Sequence, residues 1–159
     1  DRAALINALS ILPEYLKNEA TNDGAVFDYR DWHIPLGRRF RALKLWFAIR
    51  HYGVEGLQFH IRKHVELSQQ FKQWVIDSDN FDLVVDNPLN LICFRHKDGD
   101  DKTEAIMASV NQTGEAYLTH TKLNDKYTIR MSIGQTNTEL KHVEHAWRLL
   151  NEASDKLSK

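Results

Sequence analysis

The chain has 159 residues, 42% hydrophobic and 27% charged, which suits one domain-sized core and excludes a disordered polymer. A formal net charge of −1 argues against attraction of the whole protein to nucleic acid or an anionic membrane. Its one cysteine, Cys93, closes no internal disulfide, no apolar run reaches the ~20 residues of a membrane helix, and no signal-peptide pattern opens the chain, so the expectation is a cytoplasmic protein.

Residues 2–10 are expected to form a short helix with Ala3, Leu5, Ile6 and Leu9 on one face, stopped by Pro13. Residues 18–24 are small and polar and read as a mobile loop. Val26, Phe27, Trp32 and Ile34 re-anchor the chain, and Pro35 with Gly37 sets a turn before Arg38, Arg39 and Arg41. A helix over 38–51 carries Leu43, Leu45, Trp46 and Phe47 and ends at Gly53, a left-handed cap. A second helix over 54–76 has Leu57, Ile61, Val65, Phe71 and Val75 as its apolar stripe.

The periodicity then changes. Strands are expected over 81–85 and 91–95, joined by Asp86-Asn87-Pro88, with an exposed loop at residues 98–101. A helix over 103–112, strands over 117–122 and 127–133, and a last helix over 138–156 complete the chain. The last helix turns Leu140, Val143, Ala146, Trp147 and Leu150 inward. This order suits an α+β layer with helices on one face of a small antiparallel sheet.

Cations dominate residues 30–63 and acids residues 77–104, so the two regions suit ion pairing within the fold or across a subunit contact. Arg38, Arg39 and Arg41 read as ion pairs of an interface in preference to nucleic-acid contacts, which the net charge opposes. Arg130 sits mid-strand, where a paired arginine forms either a rim salt bridge or a wall of a site. His60 and His64 stand i, i+4, a spacing open to metal, but no third ligand follows locally and a packing pair is the better reading. Cys93 reads as a small core residue of its strand.

Several segments carry a more specific signal. They are Pro13-Glu14-Tyr15-Leu16-Lys17-Asn18, Asp28-Tyr29-Arg30-Asp31-Trp32, Leu36-Gly37-Arg38-Arg39-Phe40-Arg41 and Tyr52-Gly53-Val54-Glu55-Gly56-Leu57. Ile61-Arg62-Lys63-His64-Val65, Leu91-Ile92-Cys93-Phe94-Arg95 and, more weakly, Lys126-Tyr127-Thr128-Ile129-Arg130 extend the series. In this order they resemble the group II amino-acid decarboxylases that depend on pyridoxal phosphate, of the aromatic L-amino acid decarboxylase type. The resemblance implies a carboxy-lyase for DOPA, tyrosine, tryptophan or phenylalanine. It also implies a fold: the C-terminal small domain of fold-type I pyridoxal-phosphate enzymes, preceded by a mobile catalytic loop and a long connecting helix. Residues 1–53 would end a large domain, with the loop at about 11–24, and residues 54–159 would be the small domain.

The same resemblance assigns roles. Tyr15 matches the loop tyrosine that protonates the α-carbon once carbon dioxide has left; a phenol of pKa about 10 holds its proton at neutral pH. Read without the family, Tyr15 is a packing aromatic after a proline. Gly37 matches a position lining the substrate pocket, where glycine leaves room for an aromatic side chain and serine goes with histidine decarboxylases; it reads equally as a turn glycine. Asp28, Arg30, Trp32 and Arg38 are expected to anchor the loop. The Schiff-base lysine and the other cofactor-binding residues are expected upstream of Asp1, so the chain reads as the last third of a longer enzyme, inactive alone. A homodimer with the loop acting in the partner subunit's site is implied as well. Alternatives on the same scaffold are a histidine or acidic amino-acid decarboxylase and an aldehyde synthase, against which Tyr15 argues; a stand-alone non-catalytic domain is a third.

Overall fold

The computed structural model describes residues 1–10, 29–32, 34 and 39–158. They form two compact units, Asp1–His51 and Tyr52–Lys159. In the first, helix α1 (Arg2–Leu9) opens on Asp1, whose side chain accepts from the Ala3 N–H at 2.9 Å. That bond satisfies one of the donors a helix start leaves unpaired. A 3-10 turn follows at Tyr29–Trp32.

Helix α2 (Ala42–Ile76) begins in the first unit and continues into the second. It starts four residues later than the sequence suggests. Arg39, Phe40 and Arg41 form a turn ahead of it, with the Lys44 N–H donating to the Arg41 carbonyl at 3.2 Å. No Ser, Thr, Asp or Asn stands among residues 38–41 to cap an earlier start. Leu45, Trp46 and Phe47 are exposed on it. Gly53 interrupts the helix with φ 65 and ψ 179. The sequence reading has the sign of φ right, but ψ is extended, a combination essentially restricted to glycine.

In the second unit the buried residues of α2 are His64, Leu67, Ser68, Phe71 and Val75. Of the expected stripe, Phe71 and Val75 are buried, Leu57 and Val65 are half-buried, and Ile61 is 62% exposed. Val65 and Phe71 lie about 120° apart around a 3.6-residue helix, so they cannot share the centre of one stripe.

Four strands, β1 (Phe81–Val85), β2 (Leu91–His96), β3 (Thr119–Leu123) and β4 (Lys126–Ser132), form an antiparallel sheet of order β1-β2-β4-β3. Leu83 pairs with Phe94 and Val85 with Cys93, leaving Val84 as a bulge. Asn124 and Asp125, at φ 50 and 60, make the two-residue turn between β3 and β4. Both residue types tolerate positive φ, and such a turn matches the twist of the strands. The hairpin therefore lies closer to its turn than expected, and Tyr117 falls outside it, 81% exposed.

Helices α3 (Asp100–Gln112) and α4 (Leu140–Lys156) complete the unit. Asp100 and Asp101, expected in a loop, are the first turn of α3, where carboxylates oppose the helix dipole favourably. In α4 Val143, Ala146 and Leu150 are buried as expected, while Leu140 is exposed and Trp147 half-buried. Glu139 caps α4, and the Glu139 N–H donates to Nδ1 of His142 at 3.0 Å.

One face of the sheet, with Phe81, Ile92, Phe94, Tyr127 and Ile129, joins Phe71 and Val75 of α2, Ile106 and Val110 of α3, and Val143 and Leu150 of α4 in a single core. This is the expected α+β layer. Phe71 centres it, with ring centroids 5.4 Å from Phe94 and 5.5 Å from Trp147. Each fully buried side chain of this size contributes about 1.5–3 kcal/mol by leaving water.

Candidate active site

The first unit holds those residues of the expected site that are described. Asp31 lies in the 3-10 turn, only 8% exposed, and its Oδ1 accepts from the Ser10 hydroxyl at 3.2 Å. Trp32 is next to it, and the Arg2 guanidinium lies 5.4 Å from the centre of its ring. A cation over an indole face is attracted by the ring quadrupole. The exposed Tyr29 ring tilts against Trp32 at 5.6 Å. Of the expected loop anchors, Trp32 is thus tied to α1. Tyr15, Asp28, Gly37, Arg38 and the side chain of Arg30 lie outside the described residues. Arg39 and Arg41 are exposed. Sequence reasoning did not single out Ser10 or Asp31, because no local pattern links residues 21 positions apart.

In the second unit His64 is buried, and its Nε2 donates to the Gln135 carbonyl at 2.9 Å. His60 stacks on it at 6.2 Å and meets the Tyr52 ring edge-on at 5.1 Å. Among the described residues no three His, Cys, Asp or Glu side chains gather to hold a metal ion. Cys93 lies in β2 opposite Arg130; burial pushes its thiol pKa up, and the Arg130 charge opposes that in part. A thiol so placed is a poor nucleophile.

His96 is the titratable group that sequence reasoning missed. It is 3% exposed at the end of β2. The Asp98 N–H donates to its Nδ1 at 3.0 Å, so the neutral ring carries its proton on Nε2 and donates it to the Ser154 hydroxyl at 3.0 Å. Its own N–H donates to Thr103 Oγ1 at 3.0 Å. One residue thereby ties β2 to the start of α3 and the end of α4. Burial, with the Lys102 charge, holds the imidazole below its ordinary pKa against the pull of Asp98.

Residues 1–97 match the family description "Pyridoxal-dependent decarboxylase conserved domain". The chain belongs to this family. The pyridoxal-dependent decarboxylase match covers every expected site residue, from Tyr15 to Arg38. Tyrosine decarboxylase 2 of Narcissus pseudonarcissus is 44% identical over 96% of this chain and 32% of its own length. The crystal structure of Oryza sativa TDC with PLP and tryptamine superposes with a TM-score of 0.88 at 36% identity, covering 100% of this chain and 35% of that one. Rhodiola rosea 4-hydroxyphenylacetaldehyde synthase gives a TM-score of 0.79 at 34% identity, over 99% of this chain and 32% of that one. The chain thus spans about a third of the length of the relatives it matches.

A pyridoxal-dependent decarboxylase holds its cofactor on a lysine, and the described residues do not fit that part. None of the described lysines is buried. The histidine–lysine dipeptide of this chain is His96–Lys97. Lys97 is exposed and donates to the Ser78 carbonyl at 2.9 Å, while the His96 ring is committed to Asp98 and Ser154.

Proposed function

We propose that this chain is the C-terminal part of a carboxy-lyase dependent on pyridoxal phosphate that converts an aromatic L-amino acid (DOPA, tyrosine, tryptophan or phenylalanine) to its amine. The 44% identity to a tyrosine decarboxylase across 96% of the chain carries the reading. Pyridoxal phosphate, when bound, supplies the electron sink that lets carbon dioxide leave. Its lysine comes from outside this chain. Tyr15 gives the proton to the substrate α-carbon, because a neutral phenol is a competent acid at pH 7 when held within hydrogen-bond reach. Gly37 lines the substrate pocket and leaves space for an aromatic ring. Asp28, Arg30, Trp32 and Arg38 anchor the loop; the Arg2–Trp32 stacking supports this for Trp32.

Residues 1–53 are read as the end of a large domain and 54–159 as the small domain, a division supported by the unit boundary between His51 and Tyr52. The exposed Leu45, Trp46 and Phe47 give the first part an apolar surface suited to packing against the upstream portion. The enzyme is proposed to be a cytoplasmic homodimer with the Tyr15 loop acting in the partner subunit. Among the described residues, no helix is long and apolar enough to cross a membrane.

The test uses the complete protein with its upstream portion and cofactor. Amine release is measured from DOPA, tyrosine, tryptophan, phenylalanine and histidine, for the wild type and Tyr15→Phe. Amine from an aromatic substrate, lost in Tyr15→Phe, is the expected result. An equal amine yield in the variant removes Tyr15 from the chemistry. The fold match to an aldehyde synthase favours a second reading on the same scaffold, for which wild-type protein would release aldehyde instead.

A further inference from the structure

We infer that Trp74, Trp147, Asp77 and Asp79 form a binding site for a small organic ammonium ion at the C-terminal end of α2. The inference is independent of the proposed reaction. It uses groups of the second unit alone and none of the expected site residues.

The two tryptophans come from different helices. Trp74 stands in the last turn of α2 and Trp147 in the middle of α4. Both are half-buried, and the core holds them in place. Phe71 meets the Trp74 ring at 6.2 Å and the Trp147 ring at 5.5 Å, and Phe81 meets Trp147 at 5.5 Å. The two indole centroids are 6.5 Å apart, with their planes inclined by 35°. Together with Asp77 and Asp79 they line an open groove of about 410 Å³, within the size range of small-molecule sites. A cation within about 6 Å of an indole centroid is attracted by the ring quadrupole. At the observed separation one cation comes within reach of both rings.

The charge of the groove has one sign. Asp77 and Asp79 are exposed, and neither has an ion-pair partner among the described residues. The Gln73 amide donates to Asp77 Oδ1 at 2.8 Å, but a neutral amide leaves the carboxylate charge in place. The last turn of α2 carries no basic residue, so its carbonyl end adds a partial negative charge. Lys97, nearby, is committed to the Ser78 carbonyl at 2.9 Å and does not line the groove. The other lining side chains are neutral.

These features select among ligands. An anion is repelled by both carboxylates. A neutral apolar molecule gains contact with the indoles but nothing from the charge. No three His, Cys, Asp or Glu side chains gather among the described residues to replace the water of a metal ion. An organic ammonium ion uses both halves of the groove: its carbon surface lies on the indoles, and its charge faces the rings and the carboxylates. The opening to solvent weakens the electrostatic part, so affinity is expected at about the millimolar level.

The test uses the complete, cofactor-loaded protein and two probes of one shape. Choline carries a quaternary nitrogen; its partner is the neutral alcohol in which a carbon replaces that nitrogen. A quaternary nitrogen cannot condense with an aldehyde, so the cofactor carbonyl does not capture the probe. Ligand-observed NMR follows the methyl signal of each probe through a titration. Choline is expected to saturate, with the neutral alcohol about fivefold weaker or more. The double variant Asp77→Asn, Asp79→Asn is expected to weaken choline about fivefold or more and leave the alcohol unchanged. Trp147→Leu is expected to weaken both probes. Equal binding of choline and the alcohol overturns the inference, as does choline binding unchanged in the double variant or a titration that never saturates. Both aspartates are exposed, so the double variant keeps the test sound if Trp147→Leu disturbs the packing on Phe71; thermal unfolding of each variant reports that disturbance.

Discussion

The Asp98 backbone N–H donates to Nδ1 of His96 at 3.0 Å, a bond that Nδ1 accepts only while it carries no proton. Protonating Nδ1 would set two donors against each other in a residue only 3% exposed. The pKa is accordingly lowered, first by burial and then by the Lys102 charge, from an ordinary 6.5. Between that value and the lowered folded one, the unfolded chain binds a proton that the folded chain does not. Stability from this group is therefore complete above about pH 6.5 and is lost as pH falls from there towards the lowered folded value. Thermal midpoints measured from pH 8 to pH 5 should fall for the wild type and fall less for His96→Gln. Parallel curves would show that His96 does not control this window.

The strands were legible because residues 81–85 and 91–95 are β-rich runs bounded by turn residues. The interior of α4 was legible because Val143, Ala146 and Leu150 keep helical spacing. Elsewhere, local composition pointed the wrong way. Asp98-Gly99-Asp100-Asp101 has loop composition, yet its last two residues start α3, since the helix end itself favours carboxylates. His96 and Ser154 stand 58 positions apart, and Ser10 and Asp31 stand 21 apart. No periodicity encodes such pairs, since they exist only once the elements have packed. For Tyr15 and Gly37 the residues alone supported a packing aromatic and a turn glycine; only the family resemblance gave them chemistry.

Phe71 is fully buried and touches the rings of Phe94, Trp147 and Trp74. Truncation at such a site loses the transfer free energy of the ring and leaves a cavity that neighbouring aromatics fill poorly. Phe71→Ala should cost about 3–5 kcal/mol and Phe71→Leu distinctly less. Urea unfolding checks this: the midpoint should drop with the slope unchanged. A midpoint within error of wild type for Phe71→Ala would mean that this residue does not centre the core.

Gly53 and Gly56 are three positions apart in α2 but should respond differently to alanine. A Cβ at Gly53 meets nothing within 4 Å, so the whole cost is backbone strain at φ +65. That cost is about 1–3 kcal/mol. Gly56 lacks a positive φ, and its Cβ would stand 3.3 Å from Cβ of Tyr52, a tight contact that offsets the gain of about 1 kcal/mol in helix propensity. Gly53→Ala should therefore lower the thermal midpoint more than Gly56→Ala. The reverse order would place the helix break somewhere other than Gly53.

Cys93 is 8% exposed in β2, on the sheet face opposite Phe94 and Ile92, with Arg130 as its cross-strand partner. Burial raises its pKa more than the Arg130 charge lowers it. Both the thiolate fraction and access to reagent are thus suppressed in the folded state, and the unfolded chain recovers both. At pH 8 a disulfide reagent should modify the folded chain about a hundredfold more slowly than the chain in urea. Because this is the single cysteine of the chain, the time course reports one site. Raising the pH to 8.5 should speed the unfolded reaction through its thiolate, while the folded reaction stays limited by opening of the sheet. Comparable folded and unfolded rates would instead make Cys93 an accessible thiol and remove the packing role given to it.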